Sequence, residues 1–420
     1  MKVVSKATLG LALALGSVSM MAAVPAQAQK DKKEKEAASK GPQLKLSKEF
    51  RAAMAPVDAA SKAGDYAGAL TAIAGIEASA TTPDEKYVLN QYRLDAAVKT
   101  QNAKEQSKAI DNMLATGLVP ASESAKFQFY LGKFAYQAND LAKAETALGA
   151  AAAAGYDTTE LHLTQAQLYS KQNKAPQALA ALEKAIAGQK ASGQAVPADW
   201  YAFGISQAYK SKDIPATARW SSMQLAAYPT PENWRQALVL YRDSGNLGRK
   251  VELDVFRLMR ATNSLAGERD YYDYAYVANQ DGLPGEAKTA IDLLKSKGAT
   301  SNRSINELYT EVSGKVSADK ASLATEEKRA GSAPNGVLAA GTGNAYLGYG
   351  EYAKAVPLLQ TALTKGGVDA DEVNTRLGIA LALSGQKEEA KKVFTTVKGA
   401  RTGIAQFWLT WLNQGAAPAA

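Results

Sequence analysis

An all-α fold, built as a solenoid of repeated helix-turn-helix units, is what this sequence predicts. Three observations carry the prediction. First, the 420 residues are 46% hydrophobic, with Ala prominent, and 21% charged, the balance of a folded helical chain and not of a disordered one. Second, the stretch from Gly343 to Ala355 (GNAYLGYGEYAKA) has apolar positions at helical spacing on both sides of Gly350. Glycine is costly inside a helix and easy at its end, so two short antiparallel helices are expected, closest at the small residues Gly343 and Ala355. Third, the pattern returns about 35 residues later in Leu377-Gly378, Gly385, Ala390, Phe394 and Val397.

A helix-turn-helix period of about 34 residues is the signature of the tetratricopeptide (TPR) repeat, and the chain resembles that family. The resemblance implies a TPR-like right-handed α-solenoid of about ten units with a C-terminal capping helix. It also implies a scaffold that binds a peptide or protein segment in a concave groove.

Residues 1–28 read as a signal peptide. Lys2 and Lys6 precede an apolar run from Ala7 to Val24, and Ala26-Gln27-Ala28 is a small-x-small cleavage signal. Cleavage between Ala28 and Gln29 and export to a bacterial periplasm are therefore expected. No later stretch has about 18 consecutive apolar residues, so no further membrane span is expected. Residues 29–48 form a charged linker, expected to be a disordered spacer.

Residues 49–230 hold the N-terminal solenoid. Its first unit turns at Gly64-Asp65-Tyr66. The second runs from Tyr87 to Leu114. The third carries Leu131-Gly132, Ala144 and Leu148, and the fourth Ala166, Ala178 and Leu182. The insertion from Gly188 to Pro197 precedes a fifth unit set in register by Tyr209 and Ala218. Residues 231–335 read as degenerate units with a candidate joint at 231–265. Lys250 stands there where the resemblance asks for Ala, which implies a wider helix pair or a break in the superhelix. The eighth unit holds Ile305, Leu308, Val312 and Ala321 and is interrupted from Gly331 to Gly336. Residues 336–400 form the C-terminal pair of units, and 401–420 the capping helix and tail. The segment Ile404 to Leu412 (IAQFWLTWL) is expected to cover the apolar end of the solenoid; a helix that docks a partner through its Trp residues is the alternative.

The chain is not expected to be an enzyme, and no cofactor or metal is expected. There is no Cys and a single His, His162, set at a packing position of the fourth unit. These counts remove thiolate chemistry, His-rich metal sites and Ser/His/Asp arrangements beyond that one His. Ser317-x-x-Lys320 and Ser384-x-x-Lys387 match a two-residue hydrolase motif, but its companion motifs are missing. Gly341-x-Gly343 lacks a third Gly and a preceding strand. The acids Asp369, Asp371 and Glu372 suit a helix N-terminus better than a calcium loop. The net charge of +8 falls to about +6 once the two leader lysines are removed, a diffuse excess with no nucleic-acid motif.

In TPR proteins the first helix of each unit lines the concave face. Carried onto this sequence, the resemblance assigns partner contacts to Lys126, Phe129, Lys133 and Tyr136 in unit three, and to Gln167 and Lys171 in unit four. Unit five supplies Trp200, Phe203, Gln207 and Lys210, and unit six Arg235 and Arg242. Unit seven supplies Arg269, Tyr272, Tyr276 and Asn279, with Glu286 on the outer face. Cations, amides and aromatics together suit an acidic or amide-rich peptide. The carboxylate clamp of chaperone-binding TPRs is not expected, because Asn344 is in place but Ala340 replaces the Lys one turn earlier. The second functional reading is a structural part of an envelope complex, for secretion or polysaccharide export, docked through its ends or outer face.

Overall fold

The computed structural model describes residues 44–244, 247–298 and 302–415. The expected signal peptide, most of the linker and the end of the tail lie outside the described residues. The rest is helical, and it divides into two compact units at Gln194 and Ala195. That division falls inside the Gly188 to Pro197 insertion. The stretch 231–265, read from sequence as a joint, belongs wholly to the second unit.

In the N-terminal unit the helices are α1 (Lys48–Ala53), α2 (Ala55–Lys62), α3 (Tyr66–Gly75), α4 (Pro83–Lys99), α5 (Ala103–Ala115), α6 (Ala121–Gln137), α7 (Leu141–Ala153), α8 (Thr159–Lys171) and α9 (Ala175–Ala191). Consecutive helices pack as antiparallel pairs. Pro56 separates α1 from α2 because it has no N–H to continue the helical ladder. A left-handed residue closes the turn within a pair, as at Asn139 (φ 63°), and an acid then caps the second helix: Asp140 accepts from the Lys143 N–H at 3.0 Å. The helices meet where one residue is too small to obstruct. A Cβ on Gly132 would lie 2.6 Å from Leu148 Cγ. The apolar clusters follow chain order, from Phe50 to Leu89, from Tyr87 to Ala147 and from Phe129 to Leu168. Such a succession is what nearest-neighbour stacking of repeats produces.

The C-terminal unit comprises α10 (Ala198–Lys210), α11 (Ile214–Ala227), α12 (Pro231–Ser244), α13 (Arg249–Ala261), α14 (Gly267–Gln280), α15 (Pro284–Ser296), α16 (Arg303–Ser332), α17 (Val337–Gly348), α18 (Tyr352–Lys365), α19 (Ala370–Leu383), α20 (Lys387–Thr396) and α21 (Thr402–Asn413). The small-on-large contact recurs at the same spacing, Gly204 on Trp220, Gly343 on Leu359 and Gly378 on Phe394. In the fifth unit the register therefore hangs on Gly204 and Trp220. Tyr209, which set the register from sequence, is 48% exposed.

One further expectation is corrected, and that of a capping helix is met and extended. The eighth unit is a single helix of 30 residues, α16, so the described residues hold nine helix pairs, with α1, α16 and the terminal α21 outside them. Nothing between Val312 and Ala321 turns the chain, and Gly314 is accommodated inside the helix. The helix α21 does more than cover the last repeat. Phe407, Trp408 and Trp411 are buried, and α21 packs on α20, α13 and also on α11 at the start of the unit. Phe407 meets Tyr241 and Trp234 with ring centroids 5.6 and 6.4 Å apart, and the Gln414 side chain donates to the Leu225 carbonyl at 2.9 Å. The unit is thus closed on itself around one continuous apolar core from Ala218 to Leu412. Its terminal Trp residues are core residues and offer no surface to a partner.

Candidate functional site

Two surfaces compete for the role of the groove, one in each unit. In the N-terminal unit the inner positions of α6 and α8 keep contact with solvent. Lys126, Tyr136 and Gln167 are half-buried and Lys171 is exposed. The Lys171 ammonium stands 4.3 Å from the centre of the Tyr136 ring, a cation–π pair, and reaches Asn139 at 3.5 Å. Lys133 is paired with Glu160 of α8 and lies 6.0 Å from the Phe129 ring centre. Phe129 itself is a correction. It is fully buried and stacks on Tyr156 at 5.0 Å, so it joins one repeat to the next and cannot meet a partner. His162 is buried too, with one ring nitrogen 2.5 Å from an Asp157 oxygen and the other 3.3 Å from Gln165.

In the C-terminal unit the inner face is largely taken by the chain itself. Nine of the 13 residues of α13 are buried, on all sides of the helix. Its neighbours include the first helices of three repeats. Phe256 stacks on Tyr274 of α14 at 5.5 Å. Arg257 donates to the Asn344 side chain of α17 at 2.9 Å, and Lys250 pairs with Glu372 of α19 at 3.0 Å. Asn344, the residue that the family resemblance placed toward a ligand, is thus spent on an arginine of the same chain. Lys250 is exposed, and α12 and α13 do not form a close pair, as its length implied.

A buried ionic cluster fixes α13 in place. Arg257 forks onto both oxygens of Glu286, at 2.8 and 2.7 Å, and reaches Asp254 at 3.0 Å. Tyr274 donates to Glu286 at 2.8 Å. Asp254 also pairs with Arg401 and lies 3.9 Å from Arg376, which is in turn bonded to Glu372 at 2.6 Å. Burial alone would lower the pKa of Arg257, but the carboxylates of Glu286 and Asp254 outweigh it and hold the guanidinium charged. Burial, with Glu286 beside it, pushes the Tyr274 hydroxyl well above its ordinary value, so it stays a donor. Glu286 is 2% exposed, which corrects its expected place on the outer face. The sequence did hold a sign of this arrangement. Inner positions of α17 and α19 are apolar at Leu347, Ile379 and Leu383, where a peptide groove carries polar side chains.

The other predicted contacts are dispersed around this core. Arg235 is bidentate to the buried Asp270, at 2.9 and 3.2 Å, and Arg242 is bonded to Asp243 at 3.0 Å beside the Phe256 ring. Gln207 is buried, the second correction among the predicted contacts. Trp200 and Phe203 are half-buried and Lys210 is exposed. Tyr272 and Tyr276 stack at 6.0 Å, with Tyr276 still 47% exposed, and Arg269 is exposed beside Asp273. Asn279 donates to Glu311 of α16 at 3.0 Å.

No family model matches the sequence, and no curated protein matches it. Solved structures similar to the chain include a tetratricopeptide repeat protein from Parabacteroides merdae, 10% identical over 80% of this chain and all of that one, with a TM-score of 0.31. A structure of Naa15/Naa10 bound to HypK-THB is 9% identical over 84% of this chain and 63% of that one, at 0.39. The TPR domain of P58(IPK) is 12% identical over 86% and 98%, at 0.22. These scores are below 0.5, and the fold assignment stands on the chain's own packing. Antiparallel pairs, left-handed turns and small-on-large locks at a constant spacing define an α-solenoid of the TPR type.

Proposed function

We propose that the chain is an exported, non-enzymatic interaction scaffold of the bacterial envelope, and that it holds a protein segment along the first-helix face of its N-terminal unit. One observation carries this reading. The corresponding face of the C-terminal unit is filled by α13, whereas Lys126, Tyr136, Gln167 and Lys171 keep their polar and aromatic surface toward solvent. Lysines favour an acidic partner, and Tyr136 supplies anchoring area under the Lys171 cation. On this reading the C-terminal unit is a rigid mount, and export follows from the leader-like residues 1–28.

The test is photocrosslinking in the native envelope, with a photoreactive residue at Tyr136 in one strain and at the exposed Lys184 of α9 in another. A discrete adduct at Tyr136 alone supports the groove. An adduct at Lys184 alone refutes it in favour of outer-face docking.

A further inference from the structure

Beside the ionic cluster of the C-terminal unit lies a cavity of about 40 Å³. Arg257, Arg260, Tyr274, Glu286 and Tyr352 supply its polar wall, and Leu347, Ile379 and Leu383 are among its apolar walls. The two oxygens of Glu286 already accept from Arg257 and Tyr274. Among the described residues no carboxylate is within ion-pair distance of Arg260. Nor does the Tyr352 hydroxyl have an acceptor among them. Both side chains are half-buried: Arg260 has the Tyr274 hydroxyl oxygen as an acceptor but no carboxylate to pair its charge, and the Tyr352 hydroxyl gives up hydration without an acceptor in return.

Of the two guanidinium groups in the lining, Arg257 is bonded to both Glu286 and, beyond the lining, Asp254, so the positive charge left without a carboxylate is that of Arg260. The ligand that balances this wall is a monoanion that only accepts hydrogen bonds. Its size is bounded as well. One water needs about 10–15 Å³ on this measure, so the space suits a group of about three heavy atoms. A carboxylate has three, is planar, and matches the fork of a guanidinium.

We propose that the cavity beside Arg260 binds a carboxylate group, donated to by Arg260 and Tyr352 and excluded from water by Leu347, Ile379 and Leu383. The carboxylate comes either from a small free acid or from an Asp or Glu side chain of a protein segment. Arg260 is on the second helix of its pair, so this is not the first-helix clamp that the Ala340 substitution removes.

The experiment is isothermal titration of the full chain at constant ionic strength. One arm uses sodium acetate against sodium chloride, the other a blocked tri-aspartate peptide against its tri-asparagine counterpart. Binding of acetate assigns the site to free acids, and binding of the peptide without acetate assigns it to side chains. In either case Arg260→Met is expected to weaken binding roughly tenfold to hundredfold, and Tyr352→Phe about threefold to tenfold. Far-UV circular dichroism and Trp fluorescence show that each variant is folded; should Arg260→Met unfold, Tyr352→Phe decides. The proposal is overturned if neither probe binds the wild type, or if the folded variants bind as tightly as the wild type.

Discussion

Replacing Glu286 by Ala is expected to destabilise the C-terminal unit by about 3–5 kcal/mol, the cost of leaving one member of a buried ion pair without its partner. The structure locates that cost. The Arg257 guanidinium, 4% exposed, loses two short bonds and keeps only Asp254 and Asn344, and the buried Tyr274 hydroxyl loses its acceptor. The assay is urea unfolding followed by Trp fluorescence. All five Trp residues (200, 220, 234, 408 and 411) fall within 195–420, so the signal reports this unit alone. At a slope of about 2–3 kcal/mol/M the midpoint falls by about 1–2 M. A double variant, Arg257→Met with Glu286→Leu, is expected to recover at least half of the loss, since well-packed apolar side chains replace buried pairs at little cost. An outer-face Glu would change stability by no more than about 0.5 kcal/mol. A Glu286→Ala midpoint that close to wild type would refute the buried cluster and the placement of α13 with it.

Three further outcomes follow from the packing. Gly204→Ala places a methyl group against the Trp220 ring and is expected to cost about 1–3 kcal/mol, read by the same fluorescence; no change would mean that the two helices are farther apart than described. Trp408→Ala empties a fully buried site between Phe394 and Trp411 and is expected to cost about 3–5 kcal/mol, whereas a helix that waited for a partner would tolerate it. In the N-terminal unit the Ser47 hydroxyl, bonded to Glu85 at 2.6 Å, outweighs burial and, with backbone N–H groups of Thr82, Ser47 and Thr81, lowers the carboxyl from 4.5 to about 2. A carboxyl held low stabilises the fold fully above its unfolded value and loses that contribution as pH falls through the folded one. The gap in melting temperature between wild type and Glu85→Gln, followed by far-UV circular dichroism, is therefore expected to be largest above about pH 4.5 and to shrink toward pH 2; a constant gap would exclude the carboxylate as its source.

Local periodicity made the helix pairs legible. The contacts within a pair were less so: the sequence set Gly343 against Ala355, whereas a Cβ on Gly343 would meet Leu359, as one on Gly132 would meet Leu148 and one on Gly378 would meet Phe394. The same habit of reading pairs misled at α16, where the repeat template supplied a turn that no residue between Val312 and Ala321 encodes. Phe129 and Gln207 were assigned to the groove from helical position alone. Their burial depends on what the neighbouring repeat or helix brings against them, such as Tyr156, and that is a tertiary fact. The placement of α13 was the least legible. Asp254 and Arg257 look like ordinary solvent-facing charges until Glu286, Arg376 and Arg401, up to 147 positions away, are known to surround them.

The contact between Gln414 and Leu225 spans 189 positions. An open array of repeats gains stability one neighbour at a time and frays from its last member. The C-terminal unit has no such last member, because its final helix is packed on one of its first. Fraying is thereby converted into an all-or-none event: to lift α21 is to expose α11, α13 and α20 together. The same topology sets an order during synthesis. Nearly every residue of the unit must leave the ribosome before the closing contact can form, and a unit of such high contact order folds late. Until then its apolar faces remain uncovered, a state that ends only when Phe407, Trp408 and Trp411 arrive.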